Sequence, residues 1–304
     1  MKKINIVIIN YNGEKDTVDC LNSLKKVKHD GFELDAVVVD NYPENRIKLD
    51  EKNYKDVNLK VIFNPVNLGF SGGNNVGIKE ALKNDADYVL LLNNDTLVKE
   101  DFLQELLEFA EKNPEAGLIV PKIYFAKGFE FHKDRYKDSE TGRVFWYAGG
   151  NMDWKNVIGH HRGVDLVDHG QYDKTEETDF ASGCCVLIRS EMFDKIGFLD
   201  EKYFLYYEDS DYSEKVKKAG YKIYYLPKSV IWHKNAGSTG GSGSKLQDYY
   251  ITRNRLLFGN RYAPLRSRLA LNKEGLKLTM RGREWQKKGA LDYYLGKLGK
   301  SKHF

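Results

Sequence analysis

The sequence predicts an α/β protein, built on a mainly parallel sheet flanked by helices and ending in a basic helical extension. Three observations lead there. Short apolar runs alternate with amphipathic helical stretches through the first half of the chain. Asn and Asp gather at the C-terminal ends of those runs, where open parallel sheets bind ligands. Charge is also divided unevenly. Residues 245–304 carry 15 Lys and Arg against 4 Asp and Glu, whereas residues 1–244 carry 33 against 40. A net charge of +4 over 304 residues hides that division, which predicts an acidic domain over 1–244 and a basic extension over 245–304.

Composition narrows the class further. With 41% hydrophobic and 13% aromatic residues, the chain is not an extended disordered one. Its three cysteines, two of them adjacent, supply neither a disulfide framework nor paired zinc spacing, and read as small buried hydrophobes. No apolar stretch approaches the roughly 18–20 residues of a membrane span, and no signal peptide opens the sequence. A soluble or peripheral protein is expected.

The elements follow in order. Ile4–Asn10 is an apolar run of a strand buried on both faces. A helix over Glu14–Lys26 places Val18, Leu21 and Leu24 on one side. Strands are predicted at Leu34–Asp40, Leu59–Phe63 and Tyr88–Leu92, with a helix over Asn74–Lys83. Helix Glu100–Lys112 and strand Leu118–Ile123 continue the alternation. Residues 125–178 lack a long period and read as short hairpins or a loop region. A strand over Phe180–Arg189, a helix over Ser210–Ala219 and a strand over Lys222–Leu226 come next. After the Gly/Ser segment Asn235–Ser244, helices are expected from Lys245 to Gly259 and from Leu265 onward, broken near Pro264.

Chemistry-bearing residues fall at the strand ends. Asn67–Gly77 is a glycine-rich loop opening a helix, which suits a diphosphate or its sugar but matches neither the dinucleotide nor the P-loop pattern. Asp95 puts one carboxylate just past a buried strand, enough for Mg²⁺ or Mn²⁺ when substrate phosphates complete the shell. Glu208, Asp209 and Asp211 follow an aromatic run at a helix start, where dipole complementarity or a shielded base would each account for acids. His233 stands beside the Gly/Ser segment, where a lone histidine is either structural or a metal ligand.

These residues, in this order, resemble the family 2 inverting glycosyltransferases of the GT-A fold, in the rhamnosyltransferase-like branch. The motifs are VIINYNG at Val7–Gly13, VVVDN at Val37–Asn41, NPVNLGFSGGNNVGI at Asn64–Ile78 and LLLNNDT at Leu90–Thr96. The long block Asp179–Pro227 and the pair Trp232–His233 complete them. The resemblance implies that Asn10, Asn12 and Asp40 hold the base and ribose, with Asp40 facing a pyrimidine. It implies that Asn67, Gly69, Gly72, Gly73, Asn74, Asn75 and Asn94 contact the nucleotide-sugar. Asp95 and His233 would hold Mn²⁺ or Mg²⁺, Asp209 would be the catalytic base, and Glu208 would support the acceptor. Asn93 and Asn94 depart from an all-acid metal motif.

The implied activity is transfer of a sugar from a nucleotide-diphospho-sugar, dTDP-rhamnose or a UDP-sugar, with inversion at the anomeric carbon. The acceptor would be a hydroxyl of a glycan or lipid-linked molecule in cell-surface polysaccharide biosynthesis. The Gly/Ser segment would then be a lid over the diphosphate. The basic helices would hold a cytoplasmic enzyme peripherally at the inner face of the cell membrane. A nucleotide-sugar binder without transfer, or a nucleotidyltransferase, are the alternatives. Basic and aromatic residues at 249–262 suit a helix packed on the core better than nucleic acid.

Overall fold

The computed structural model describes residues 1–235 and 243–304. β1 (Lys2–Asn10), α1 (Glu14–Leu24), β2 (Phe32–Asp40) and β3 (Leu59–Phe63) open the chain, with a 3-10 turn at Glu51–Val57. α2 (Gly69–Lys83), β4 (Tyr88–Asn93), β5 (Thr96–Val98), α3 (Phe102–Lys112) and β6 (Ala116–Phe125) follow. The middle holds the short strands β7 (Phe145–Tyr147), β8 (Gly150–Asp153), β9 (Ile158–His161) and β10 (Glu176–Glu177). Then come β11 (Cys185–Arg189), α4 (Glu191–Ile196), α5 (Glu208–Lys218) and β12 (Lys222–His233). Three helices close the chain: α6 (Lys245–Tyr262), α7 (Leu265–Arg281) and α8 (Glu284–Tyr294).

Among the described residues the main sheet runs in the order β10, β12, β6, β11, β4, β1, β2, β3, with β5 paired to β12 and β7 to β6. β1 is parallel to both β2 and β4, β2 to β3, and β12 to β6. Ile4, Ile6, Val7 and Ile8 of β1 are buried, as are Val37–Val39 of β2 and Val89–Leu92 of β4, because helices cover both faces. The middle segment is the hairpin reading rather than a long loop: β8 and β9 pair antiparallel as a second small sheet. Cys20, Cys184 and Cys185 are free and buried, as expected.

Four departures from the expected elements shape the site. α2 begins at Gly69, five residues before the expected start, so Gly72, Gly73, Asn74 and Asn75 form its first turns rather than a loop. Glycine weakens a helix interior, but here it permits close packing on the sheet: a Cβ on Gly77 would lie 2.3 Å from Val7. Secondly, β11 covers only the second half of the expected strand and runs antiparallel between β4 and β6. Its reversed direction brings Phe180–Cys184, the turn before it, to the C-terminal edge of β4. Thirdly, β12 continues seven residues past Leu226. A register shift between Leu226 and Val230 absorbs Pro227, which has no N–H to pair, and the strand resumes toward His233.

The fourth departure concerns 245–304. Leu256, Leu257 and Phe258 of α6, Leu271 of α7 and Ala290 of α8 lie in the same hydrophobic cluster as the sheet residues. The helices expected as a basic extension thus pack on the same core as the sheet. Ser244 caps α6 by accepting the Gln247 N–H. The lid expected over Asn235–Ser244 falls mostly on residues 236–242, outside the described residues.

Candidate active site

Parallel pairing in register brings the ends of β1, β2 and β4 together, with Asn10 opposite Asp40 and Ile9 opposite Asn93. Asn10 donates to Asp40 at 2.9 Å and accepts from the Gly13 N–H and Thr17 Oγ1. Asp40 is fully buried, accepts the N–H groups of Tyr42 and Ile47, and lies 3.6 Å from Arg46. Asp40 thus orders the segment after β2. Asn12, in the left-handed region at φ 52, and Tyr11 are the exposed residues of this end. Tyr11 meets Tyr42 edge-on at 5.1 Å, so the surface offered there is aromatic.

The glycine-rich segment is also committed internally. Asn41 accepts the Leu68 N–H, and Asn67 accepts the Gly69 N–H. Phe204 O accepts the N–H of Phe70 at 2.7 Å and of Ser71 at 3.4 Å. Four successive amides expected to greet a diphosphate are therefore already bonded. Gly69 has φ +70, and a Cβ there would stand 2.4 Å from Phe204 O, so only glycine permits this crossing. Asn74 donates to Phe70 O, whereas Asn75 is locked on Leu199 and Glu201. Asn94 ties the end of β4 to α1, donating to Gly13 O and Thr17 Oγ1. Many of the Asn residues read as donor contacts thus build the wall that fixes the strand ends.

Asp95 and His233 are brought together by the unexpected length of β12. His233 pairs with Thr96 across the β5–β12 ladder, which sets its Nε2 3.0 Å from Asp95 Oδ1. The His233 side chain is almost entirely buried, and its Nδ1 has no partner among the described residues. Lys234, next in sequence, donates its backbone N–H to Asp95 O and pairs with Asp16 and Asp19 of α1, pinning this end of β12. Among the described residues no group of three or more His, Cys, Asp or Glu converges on one point. One carboxylate plus one imidazole is nevertheless a fitting donor set for Mn²⁺ when diphosphate oxygens supply the remaining positions.

The acids of α5 sit across the turn before β11. Asp209 accepts the Gly183 N–H at 3.1 Å, and the neighbouring Cys184 O accepts the Asn93 N–H at 2.8 Å. One turn therefore holds Asp209 on one side and the end of β4, two residues before Asp95, on the other. Gly183 has little room for a side chain, since its Cβ would meet Phe70 at 3.1 Å and Asp209 at 3.6 Å. Burial raises the Asp209 carboxyl above its ordinary range, against the bonds from Gly183 and Ser210. Burial and the adjacent Asp209 charge push Glu208 higher still, and its buried Oε2 has no hydrogen-bond partner among the described residues. Asp211, by contrast, is structural: Tyr203, Arg261 and Tyr262 all donate to its Oδ1.

What delivers these acids was not visible in the sequence. Phe204, Tyr206 and Tyr207, just before α5, all have positive φ, between 64° and 71°. Such residues cost of order 1–3 kcal/mol each and persist only when the surroundings over-determine them. α6 does so. Asn254 Nδ2 donates to the carbonyls of Tyr203, Leu205 and Tyr206, while the fully buried Arg253 donates to Lys202, Tyr203 and Gly299. The guanidinium also lies 4.7 Å from the ring centre of Tyr250. Adjacent Arg and Asn in a basic helix gave no sequence signal for this.

Asp209 opens onto a cavity of about 390 Å³. His161 and Phe180 line it on one side, and Thr252, Arg255, Leu271 and Glu274 from α6 and α7 on the other. Arg255 and Glu274 form a two-pronged ion pair at 2.8 and 3.0 Å. Burial lowers His161 to about 4, so the ring is neutral at pH 7. Trp146 touches both histidines edge-on, at 4.4 Å from His161 and 4.5 Å from His233.

Comparison with known proteins agrees with this arrangement. The model of the family "Glycosyl transferase family 2" matches residues 5–197, more than half of the chain. The low-salt glycan biosynthesis hexosyltransferase Agl10 of Haloferax volcanii is 25% identical over 260 residues, 84% of this chain and 75% of that protein. An N-acetylglucosaminyl-diphospho-decaprenol L-rhamnosyltransferase of Mycobacterium tuberculosis is 27% identical over 60% of this chain and 61% of its own length. Among solved structures, GalNAc-T7 with UDP, GalNAc and Mn²⁺ superposes with a TM-score of 0.60 at 17% identity, over 90% of this chain and 54% of that one. Staphylococcus aureus TarS gives 0.57 at 16% identity, over 96% and 79%. These neighbours share the GT-A fold, with its mostly parallel sheet between helices. By its sequence model, its relatives and its fold, the chain belongs to glycosyl transferase family 2.

Proposed function

We propose that this family 2 glycosyltransferase moves a sugar from a nucleotide-diphospho-sugar, dTDP-rhamnose or a UDP-sugar, to a hydroxyl of a glycan or lipid-linked acceptor, with inversion. The observation that carries the reading is the turn Ala181–Cys184, which holds Asp209 on one side and the strand end bearing Asn93 to Asp95 on the other. These contacts support reading Asp209 as the base and Asp95 with His233 as the cation-binding pair. The names of its relatives, a hexosyltransferase and a rhamnosyltransferase, support glycan assembly. UDP and UDP-N-acetylglucosamine in TarS crystals support the donor class.

Asp209 takes the proton of the attacking hydroxyl. Its raised pKa makes it a stronger base than an exposed aspartate, while the Gly183 and Ser210 donors fix its orientation. Glu208, favoured in its neutral form by burial, donates a hydrogen bond to the acceptor. Tyr11 and Tyr42 give the base an aromatic edge. Asp95 and His233 would hold a divalent cation, which would supply Lewis-acid neutralisation of charge on the nucleoside diphosphate. We place the reaction at the cytoplasmic face of the cell membrane, with the acceptor lipid-borne; no described helix is long and apolar enough to cross a bilayer.

The test is a panel of UDP- and dTDP-sugars with Mn²⁺, read as nucleoside diphosphate release and as the anomeric configuration of the product. Release with one donor and an inverted product supports the reading. Retained configuration, or donor binding without any release, would overturn it.

A further inference from the structure

α7 is buried along one side only. Leu271 and Gly275 are buried, and Leu278 packs against the core. On the opposite side Leu265 is 67% exposed, Leu269 64%, Leu276 56% and Met280 69%. At 100° per residue these four fall within roughly 60° of arc, so they form one continuous stripe. Single exposed leucines are ordinary on a protein surface, but four aligned on one helix are not. The patch continues onto α8: Leu291 and Leu295 are 50% and 56% exposed. Tyr294, between them, donates to the carbonyl of Asn272, which lies between Leu269 and Leu276 on the same side of α7.

Two groups stand out among the basic residues of α6 and α7. Arg253, Arg255 and Arg261 are used inside, on backbone carbonyls, Glu274, Asp200 and Asp211. Arg266, Lys273, Lys277 and Arg281 are exposed and have no ion-pair partner among the described residues. At helical spacing all four lie on the arc immediately beside the apolar stripe. An apolar ridge with a row of unpaired cations along its edge fits the boundary between acyl chains and anionic headgroups. A second copy of the same face would set those cations against each other.

We infer that α7 docks on an anionic phospholipid surface, with Leu265, Leu269, Leu276 and Met280 inserted at the headgroup boundary. The opposite face of the same helix contributes Leu271 and Glu274 to the cavity that holds Asp209. Docking therefore sets that cavity about one helix diameter, roughly 10 Å, from the lipid surface. This deepens the lipid-borne acceptor proposed above, but the docking itself does not rest on the transfer chemistry.

The test is co-sedimentation of the full chain with phosphatidylcholine vesicles, with and without phosphatidylglycerol. Binding is expected only with the anionic lipid, weakening with salt. The double variant Leu269→Glu/Leu276→Glu should partition about tenfold less, with an unchanged melting curve and unchanged nucleoside diphosphate release. A second variant, Lys273→Glu/Lys277→Glu, should lose anionic selectivity. Undiminished vesicle binding by both variants, or equal binding to vesicles lacking phosphatidylglycerol, would overturn the inference. So would a concentration-dependent dimer that the leucine variant abolishes while vesicles bind neither protein. Loss of transfer in the wild type with vesicle binding intact would instead count against the activity and leave the docking standing.

Discussion

Asn254→Ala isolates the link between α6 and the acids of α5. Asn254 Nδ2 donates to Tyr203 O at 2.9 Å, Leu205 O at 2.7 Å and Tyr206 O at 2.8 Å. Tyr203 O keeps the bond from Arg253 after the substitution, whereas Leu205 O and Tyr206 O lose the Asn254 donor and the buried Arg253 Nε loses Asn254 Oδ1 as its acceptor. Leaving a buried acceptor short of its donor costs about 1–3 kcal/mol, which sets the expected loss at about 2–6 kcal/mol for the two carbonyls. The three left-handed residues of this segment are then less firmly held, and relaxation shifts the start of α5. Urea unfolding should show a lower midpoint at unchanged slope. Steady-state transfer should show kcat reduced more than donor KM, because Asp209 moves while the strand-end wall does not. A midpoint within about 0.5 kcal/mol of wild type, together with unchanged kcat, would refute the claim that α6 positions the base.

Other substitutions probe the remaining parts. Gly69→Ala forces a side chain into the left-handed region 2.4 Å from Phe204 O, so a loss of about 2–4 kcal/mol is expected in thermal or urea unfolding. Asp95→Ala and His233→Ala should each weaken Mn²⁺-dependent donor binding at least about tenfold by calorimetry, leaving metal-free unfolding nearly unchanged for Asp95→Ala. His161, lowered from 6.5 to about 4 by burial, stabilises the fold fully above pH 6.5 and loses that contribution as pH falls toward 4. The effect is bounded at about 3 kcal/mol, and His161→Phe should flatten stability over that window. Because burial raises Asp209, the acid limb of kcat/KM should lie above the ordinary aspartate value of about 4.

The sheet was legible from the sequence because its strands are buried on both faces and write themselves as apolar runs, as in Ile4–Asn10 and Tyr88–Leu92. Asp95, His233 and Asp209 could be named because motif order carries them. What brings them together could not be read. β12 passes through Pro227 by a bulge, a feature that depends on its neighbour β6 and not on local propensity. The direction of β11 follows from the path of residues 125–184, and it brings Gly183 to Asp209. The start of α2 lies earlier than local propensity predicts: Gly72 and Gly73 disfavour helix, whereas Gly73 and Gly77 let it pack closely on β1. The polar strand ends proved to be bonded largely to one another, since a buried Asn or Asp must find partners and here finds them in Asn10, Asp40, Asn41, Asn64 and Asn67. Charge counting treated Arg253 and Arg266 alike, though one is buried on carbonyls and the other faces water.

The most direct measurement is transfer by Asp209→Asn alongside Mn²⁺-dependent donor binding by the same protein. The isosteric amide keeps one accepting oxygen of the two, so it retains either the Gly183 or the Ser210 bond, and it cannot take a proton. Donor affinity should stay within about twofold of wild type, while transfer falls about 10²–10⁴-fold. Near-native transfer by this variant would contradict Asp209 as the base.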